Sequence, residues 1–228
     1  MRGYEARLWG LGFRLIAGVD EAGRGSLAGP VVAAAVILPP RFKIEGLADS
    51  KKLCSSRREE LFEEIQANAL AMGLGIAEAE TVDALNVLGA SLLAMERAIT
   101  ALHPPPDYLL IDGNHLPSSP FPKAALPKGE DQSPAIAAAS ILAKVTRDRL
   151  MAIYHRMFPQ YGFLRHKGYG TRDHMEALRR YGPSPIHRRT FRGVREHVED
   201  SRQSSVLGLQ ESARAGATGV FNLLRTDD

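Results

Sequence analysis

The stretch from Leu15 to Leu38 constrains the fold more than any other part of this 228-residue chain. A short apolar run from Leu15 ends in acid at Asp20 and Glu21; Gly23, Gly25 and Gly29-Pro30 then mark a turn, and Val31 to Leu38 is a second apolar run. Apolar runs of this length bounded by turn residues read as strands, so the segment predicts two paired strands with a long glycine-rich connection. Alternation sends neighbouring strand side chains to opposite faces. Asp20 and Glu21 therefore form one site only if the strand end is twisted or bulged; otherwise they are a solvated acidic turn.

The remaining segments alternate in type. After the loop holding Asp49-Ser50-Lys51-Lys52, Ser55 or Ser56 can cap a helix starting near Arg57, with Leu61 and Ile65 at helical spacing. A third strand is expected near Gly73 to Ala77. Thr81 to Ala101 carries Val82, Leu85, Leu88, Leu92 and Met95 at spacings of three and four, an amphipathic helix facing the sheet. Tyr108 to Ile111, between Pro104 to Pro106 and Asp112-Gly113-Asn114, reads as a buried strand with an acid at its carboxyl end. Ser133-Pro134 starts a helix that runs without a breaker to about Met157; its alanine-rich half packs on the sheet and Ser140, Lys144 and Arg147 share another face. A further helix spans Arg172 to Tyr181. Mixed strands and helices with acids on strand ends give an α/β architecture.

A chain with 44% hydrophobic residues can bury one substantial core, so one main domain is expected. Beyond about residue 199 the sequence turns to Ser, Gln, Gly and Ala, a peripheral or partly disordered tail with a short apolar helix around Val220 to Leu224. The formal net charge of +3 permits nucleic-acid binding. Its distribution says more: from Lys144 to Arg195 the only acids are Asp148, Asp173 and Glu176 among many arginines. Cys54 is the single cysteine, which excludes an intrachain disulfide and a zinc site built on cysteine pairs and fits a reducing cytoplasm. The longest apolar run, Val31 to Leu38, is too short to span a bilayer as a helix.

An unpaired carboxylate at Asp112, on a buried strand end, would cost roughly several kcal/mol unless a cation or hydrogen bonds compensate it. Asp20, Glu21 and Asp112, with Glu130 or Asp131 as the last member, make a hard oxygen site suited to magnesium or manganese, the kind used in phosphoryl chemistry. Gly23-Arg24-Gly25 lets backbone N–H groups approach a sugar or phosphate. Lys51, Lys52, Lys128 and Lys144 are candidate phosphate contacts, though any one of them alone reads more readily as a solvated surface charge. Tyr169 offers a ring for stacking, or closes a loop over the core. His187, among arginines, is a metal ligand, a base, a phosphate contact or a packed side chain.

Several long motifs, in order, resemble the bacterial ribonuclease HII (type 2 ribonuclease H) family. They are Ile16-Ala17-Gly18-Val19-Asp20-Glu21-Ala22-Gly23-Arg24-Gly25 with Leu27 to Pro30, Asp49-Ser50-Lys51-Lys52-Leu53, Ile111-Asp112-Gly113-Asn114, Ile136 to Asp148, Phe158-Pro159-Gln160-Tyr161-Gly162, His166-Lys167-Gly168-Tyr169 and His187-Arg188-Arg189-Thr190-Phe191. The resemblance implies a ribonuclease H-like fold, a central mixed β-sheet flanked by helices, with residues 1–198 as the catalytic domain and a small helical substrate-binding part from about 160. It implies an endoribonuclease that cuts the RNA strand of RNA·DNA hybrids, and cuts 5′ of ribonucleotides embedded in duplex DNA, leaving 3′-hydroxyl and 5′-phosphate ends. Asp20, Glu21 and Asp112 would hold the metal, Mn2+ or Mg2+, with two ions in the reacting complex. Gly23, Arg24 and Gly25 would contact the ribonucleotide 2′-hydroxyl, Tyr169 would stack on the following deoxyribose, and Lys51, Ser140 and Lys144 would hold phosphates.

Where the family has Lys-Gly-Asp, this chain has Lys128-Gly129-Glu130-Asp131, so the fourth carboxylate is a longer Glu130 or a shifted Asp131. A cytoplasmic monomer acting in DNA replication and repair is expected. The resemblance does not decide a replication-clamp contact. A hybrid binder without catalysis, or a ribonuclease H-like resolvase, are the competing readings.

Overall fold

The computed structural model describes residues 4–40, 42 and 54–198. Lys51 and Lys52 and the tail from 199 lie outside the described residues.

The two apolar runs form strands β1 (Ile16–Ala22) and β2 (Val31–Ile37), paired antiparallel, and β3 (Ala71–Ala77) continues the hairpin antiparallel to β2. On the other side β4 (Tyr108–Asp112) lies parallel to β1, and β5 (Lys123–Leu126) parallel to β4. The order β3-β2-β1-β4-β5 makes the sheet mixed, as expected. β5 is too short to signal itself in sequence: four residues, of which only Leu126 is buried.

Strand alternation sorts the core into two layers. Val31, Ala33, Ala35 and Ile37 of β2, with Ala17 and Val19 of β1 and Leu109 and Ile111 of β4, face helix α3 (Ala79–Thr100). Ala34 and Val36 face the other side, where α2 (Ser55–Asn68) supplies Leu61, Phe62 and Ile65 and α4 (Pro134–Met157) supplies Ala137, Ala138, Ile141 and Leu142. The alanines let α4 sit close: a methyl group placed on Gly18 would lie 2.1 Å from the backbone of Ala135. Ser133 caps α4, its hydroxyl accepting from the Ile136 N–H at 3.2 Å, with Pro134 in the first turn. Helix α1 (Tyr4–Gly10), unmarked in the sequence, brings the buried Glu5 to this helix start, where its carboxylate accepts from the Ser133 hydroxyl at 2.5 Å.

Two expectations need correction. α2 begins at Ser55, and its cap position is Cys54, whose side chain makes no capping bond. In α3 the apolar stripe does not run through: Asn86 has φ 59° and ψ 171° and breaks the helix, leaving Leu85 44% exposed, and the buried stripe resumes at Ala90, Ala94, Ala98 and Ile99. The Asn86 side chain accepts from the N–H groups of Leu88 and Gly89, so it caps the second segment and resets its phase.

A smaller cluster joins Ala28, Met151, Tyr161, Phe163, Leu178 and Val194. It gathers the end of α4, the single turn α5 (Phe163–His166) and α6 (Arg172–Tyr181), which Thr171 caps, around the glycine-rich connection. The connection is tied down by backbone bonds from Leu27 N–H to Gly168 C=O and from Gly29 N–H to Ile186 C=O, each 2.8 Å.

Candidate active site

In the parallel pair β1–β4, Val19 is in register with Ile111, so the next residues, Asp20 and Asp112, are neighbours on the α4 face. Beyond these strand ends lies a cleft of about 490 Å³, lined by Asp20, Glu21, Asp112 and Glu130, by Ala22 to Gly25, by Arg58, Ser140, Ile141 and Lys144, and by Tyr169. The pairing of β1 with β2 stays regular through Glu21, with no bulge. Glu21 nevertheless shares the cleft with Asp20, because the space opens past the sheet where side chains of either face can reach it.

Asp20 is buried and accepts from the Glu21 N–H at 2.7 Å. Burial first, then the charges of Glu21 and Asp112, push its carboxyl well above the usual range, against hydrogen bonds from Ser140 and the backbone. Burial also raises Glu21, opposed by Arg24, whose Nη1 lies 3.0 Å from Glu21 Oε1. Asp112 Oδ1 accepts from the Gly129 N–H at 2.6 Å, which ties β4 to the 3-10 turn Gly129–Asp131. That turn sets the two acids apart: Glu130 is buried and lines the cleft, whereas Asp131 is exposed.

Among the described residues no three His, Cys, Asp or Glu side chains already stand as a closed metal cluster. The donor set fits a hard divalent cation all the same: four carboxylates border the cleft, with no imidazole or thiolate, and a cation would offset the repulsion between Asp20, Glu21 and Asp112.

Gly23, Arg24, Gly25, Ser140, Lys144 and Tyr169 all reach this cleft, whereas Lys128 is exposed and does not border it. Lys144 pairs with Asp148, one turn along α4. Tyr169 follows Lys167 and Gly168, both at positive φ, and its ring centroid lies 5.5 Å from the Arg147 guanidinium carbon. Arg58, at the start of α2, also borders the cleft; in sequence nothing separates it from its neighbour Arg57.

The basic segment is not one surface. Arg147 and Arg188 are fully buried, so Arg147 does not share a solvent face with Ser140 and Lys144. Their guanidinium groups donate to backbone carbonyls of the glycine-rich connection. His187 is buried as well, against His174 and Ser184, and does not line the cleft.

Residues 17–194 match the family Ribonuclease HII. A ribonuclease HII of Geobacter sulfurreducens is 56% identical over 199 residues, covering 87% of this chain and 92% of its own length. That of Syntrophotalea carbinolica is 57% identical over 195 residues, 86% of this chain and 93% of its own. Among solved structures, ribonuclease H2 from Pyrococcus horikoshii OT3 superposes with a TM-score of 0.69 at 27% identity, over 82% of this chain and 98% of that one. The RNase HII of Archaeoglobus fulgidus, solved as a PCNA:RNase HII complex, gives 0.59 at 25% identity over 78% and 95%.

Proposed function

The chain belongs to the ribonuclease HII family, and from that premise we propose that the cleft at the ends of β1 and β4 is its catalytic centre. The protein is a metal-dependent endoribonuclease acting on RNA in RNA·DNA hybrids, and its fold is that of ribonuclease H2. In the finer reading it cuts 5′ of a ribonucleotide in duplex DNA by in-line hydrolysis, leaving a 3′-hydroxyl and a 5′-phosphate.

Asp20, Glu21, Asp112 and Glu130 would hold two divalent ions, Mn2+ or Mg2+. Bound there, such ions supply neutralisation of charge at the scissile phosphate and acidify water. The chain itself positions: Lys144, Ser140 and Arg58 border the path of the backbone, and Tyr169 presents a ring, 39% exposed, for stacking on a sugar. Lys51 belongs to the same proposed set, outside the described residues. Residues up to 198 act as one catalytic domain, with the helical part from about 160 lending Tyr169 to the cleft.

Gly25 carries this reading. Its φ is not in the left-handed region and a methyl group built on it meets nothing within 4 Å, so neither conformation nor packing requires glycine there. What its bare Cα leaves open is the cleft, where a ribose 2′-hydroxyl can approach the backbone. Selection by that hydroxyl is how one ribonucleotide is told from its deoxy neighbours.

The test is cleavage of an end-labelled DNA duplex carrying one ribonucleotide, with magnesium, manganese or chelator. Cutting 5′ of the ribonucleotide that needs the ion and falls ~10²-fold or more in Asp112→Asn supports the proposal. Equal cutting of the all-DNA counterpart would favour a resolvase, and folded protein that binds without cutting would favour a hybrid binder. A cytoplasmic location is part of the same reading, since its substrates lie there. Among the described residues no helix is long and apolar enough to cross a membrane.

A further inference from the structure

Arg188 and Arg147 are among the largest fully buried side chains in the protein, yet neither forms an ion pair among the described residues. Burying a guanidinium is costly unless its donors are used. Here they are used mainly on the stretch from Gly23 to Pro30. Arg188 donates through Nη2 to Gly23 C=O at 2.7 Å, through Nη1 to Arg24 C=O at 2.8 Å, and through Nε and Nη2 to Gly29 C=O at 3.1 and 2.9 Å. Arg147 donates to Pro30 C=O, Ala28 C=O and Lys167 C=O, and through Nη2 to the Ser26 hydroxyl at 2.7 Å. Ser26 passes the contact on, its hydroxyl donating to Gly23 C=O at 2.8 Å.

A trans peptide is planar, so its C=O and N–H point opposite ways. Drawing the carbonyls of Gly23 and Arg24 inward therefore turns the N–H groups of Arg24 and Gly25 outward, on the side where these residues line the cleft. Two successive N–H groups facing one way make a small electropositive concavity. The charge on Arg188 polarises both carbonyls further, which strengthens the outward donors. A methyl group on Gly23 would sit 2.1 Å from Arg147 Nε, so the second guanidinium packs directly against the loop and leaves no room for a side chain there.

We propose that Arg188, acting with Ser26 and Arg147, is a positioning residue for ribonucleotide selection: it sets the Arg24 and Gly25 N–H groups to meet the 2′-hydroxyl. The inference rests on the reading of Gly23 to Gly25 as the ribose contact. It assigns selectivity to groups that never touch substrate.

The experiment compares wild type, Arg188→Lys, Arg188→Gln and Ser26→Ala. Each is measured for kcat/KM on the single-ribonucleotide duplex, for the inhibition constant of the all-DNA duplex as competitor, and for thermal unfolding. Lys keeps the charge but cannot span Gly23, Arg24 and Gly29 together, so charge alone does not rescue. Positioning predicts that kcat/KM falls about tenfold or more in both Arg188 variants, and less in Ser26→Ala, while the all-DNA constant stays within about twofold. Parallel losses on both duplexes mark a structural role and overturn the inference. So does undiminished kcat/KM in folded Arg188→Lys, or in Ser26→Ala should the Arg188 variants not fold. Wild type that ignores the 2′-hydroxyl brings down the ribose reading itself, and the inference with it.

Discussion

The Nε2 atoms of His174 and His187 lie 2.9 Å apart, with both rings buried. The neighbours fix which ring carries the proton. His187 Nδ1 accepts from the Ser184 N–H at 2.9 Å, so its Nε2–H donates to His174, whose Nδ1–H in turn donates to Tyr169 C=O at 2.9 Å. Both rings must be neutral for this chain of bonds to exist, and it ends on the backbone of the residue that offers its ring to the cleft.

Burial pulls His174 down to about 4 and His187 to about 3, from an ordinary 6.5. Between pH 6.5 and about 4 the unfolded chain therefore binds more protons than the folded one, and stability falls as pH falls through that window. The thermal midpoint should drop steadily from pH 7 towards pH 4, and His187→Asn should flatten part of the slope. Identical slopes in the two proteins would contradict this arrangement.

Gly23 and Gly25 should separate when each is changed to alanine. Gly23 sits at φ +97° with Arg147 and Pro30 against it, so Gly23→Ala strains the loop and lowers stability by about 1–3 kcal/mol, read by denaturant unfolding. Gly25→Ala should unfold like wild type, since its methyl group meets nothing within 4 Å, and on the proposed ribose contact should still lose cleavage by about tenfold or more.

Glu130 and Asp131 make a similar pair. Glu130 is buried at the cleft and Asp131 is exposed, so Glu130→Gln should reduce metal-dependent cleavage ~10²-fold while Asp131→Asn stays within about twofold. Glu130→Asp shortens the arm, and a changed preference between magnesium and manganese is the expected result. The reverse ranking of the two amides would move the fourth carboxylate to Asp131.

Much of this was legible because it follows from pattern. The apolar runs before Asp20 and up to Asp112 marked β1 and β4, and Ser133-Pro134 marked the start of α4. What the pattern did not carry were contacts remote along the chain. Nothing local distinguishes Arg188 from Arg189, yet one is fully buried and the other is not, because only one meets the carbonyls of Gly23, Arg24 and Gly29. The choice between Glu130 and Asp131 was open for the same reason: neighbours on a tight turn point to different sides, and the side facing the cleft depends on where Asp112 Oδ1 holds the Gly129 N–H.

Periodicity also failed across Asn86, and the cause has a consequence for the site. The break lets the first turns of α3 depart from the line of the rest, and there Asp83 accepts from the N–H groups of Arg189 and Thr190 at 2.8 and 2.9 Å and from the Thr190 hydroxyl at 2.7 Å. The segment that carries Arg188 is thus held by the segment that Asn86 re-aims. Asn86→Ala loses the cap while the Cβ that asparagine already carries stays at positive φ, so the cost is that of the cap, about 1–2 kcal/mol by denaturant unfolding. Asn86→Gly relieves the backbone but not the cap, and should cost less than alanine. Asn86→Asp keeps an acceptor and adds negative charge at a helix start, so it should match wild type or exceed it. Alanine as tolerable as aspartate would mean that the break is set by packing around it, and that Asp83 reaches Arg189 without help from the cap.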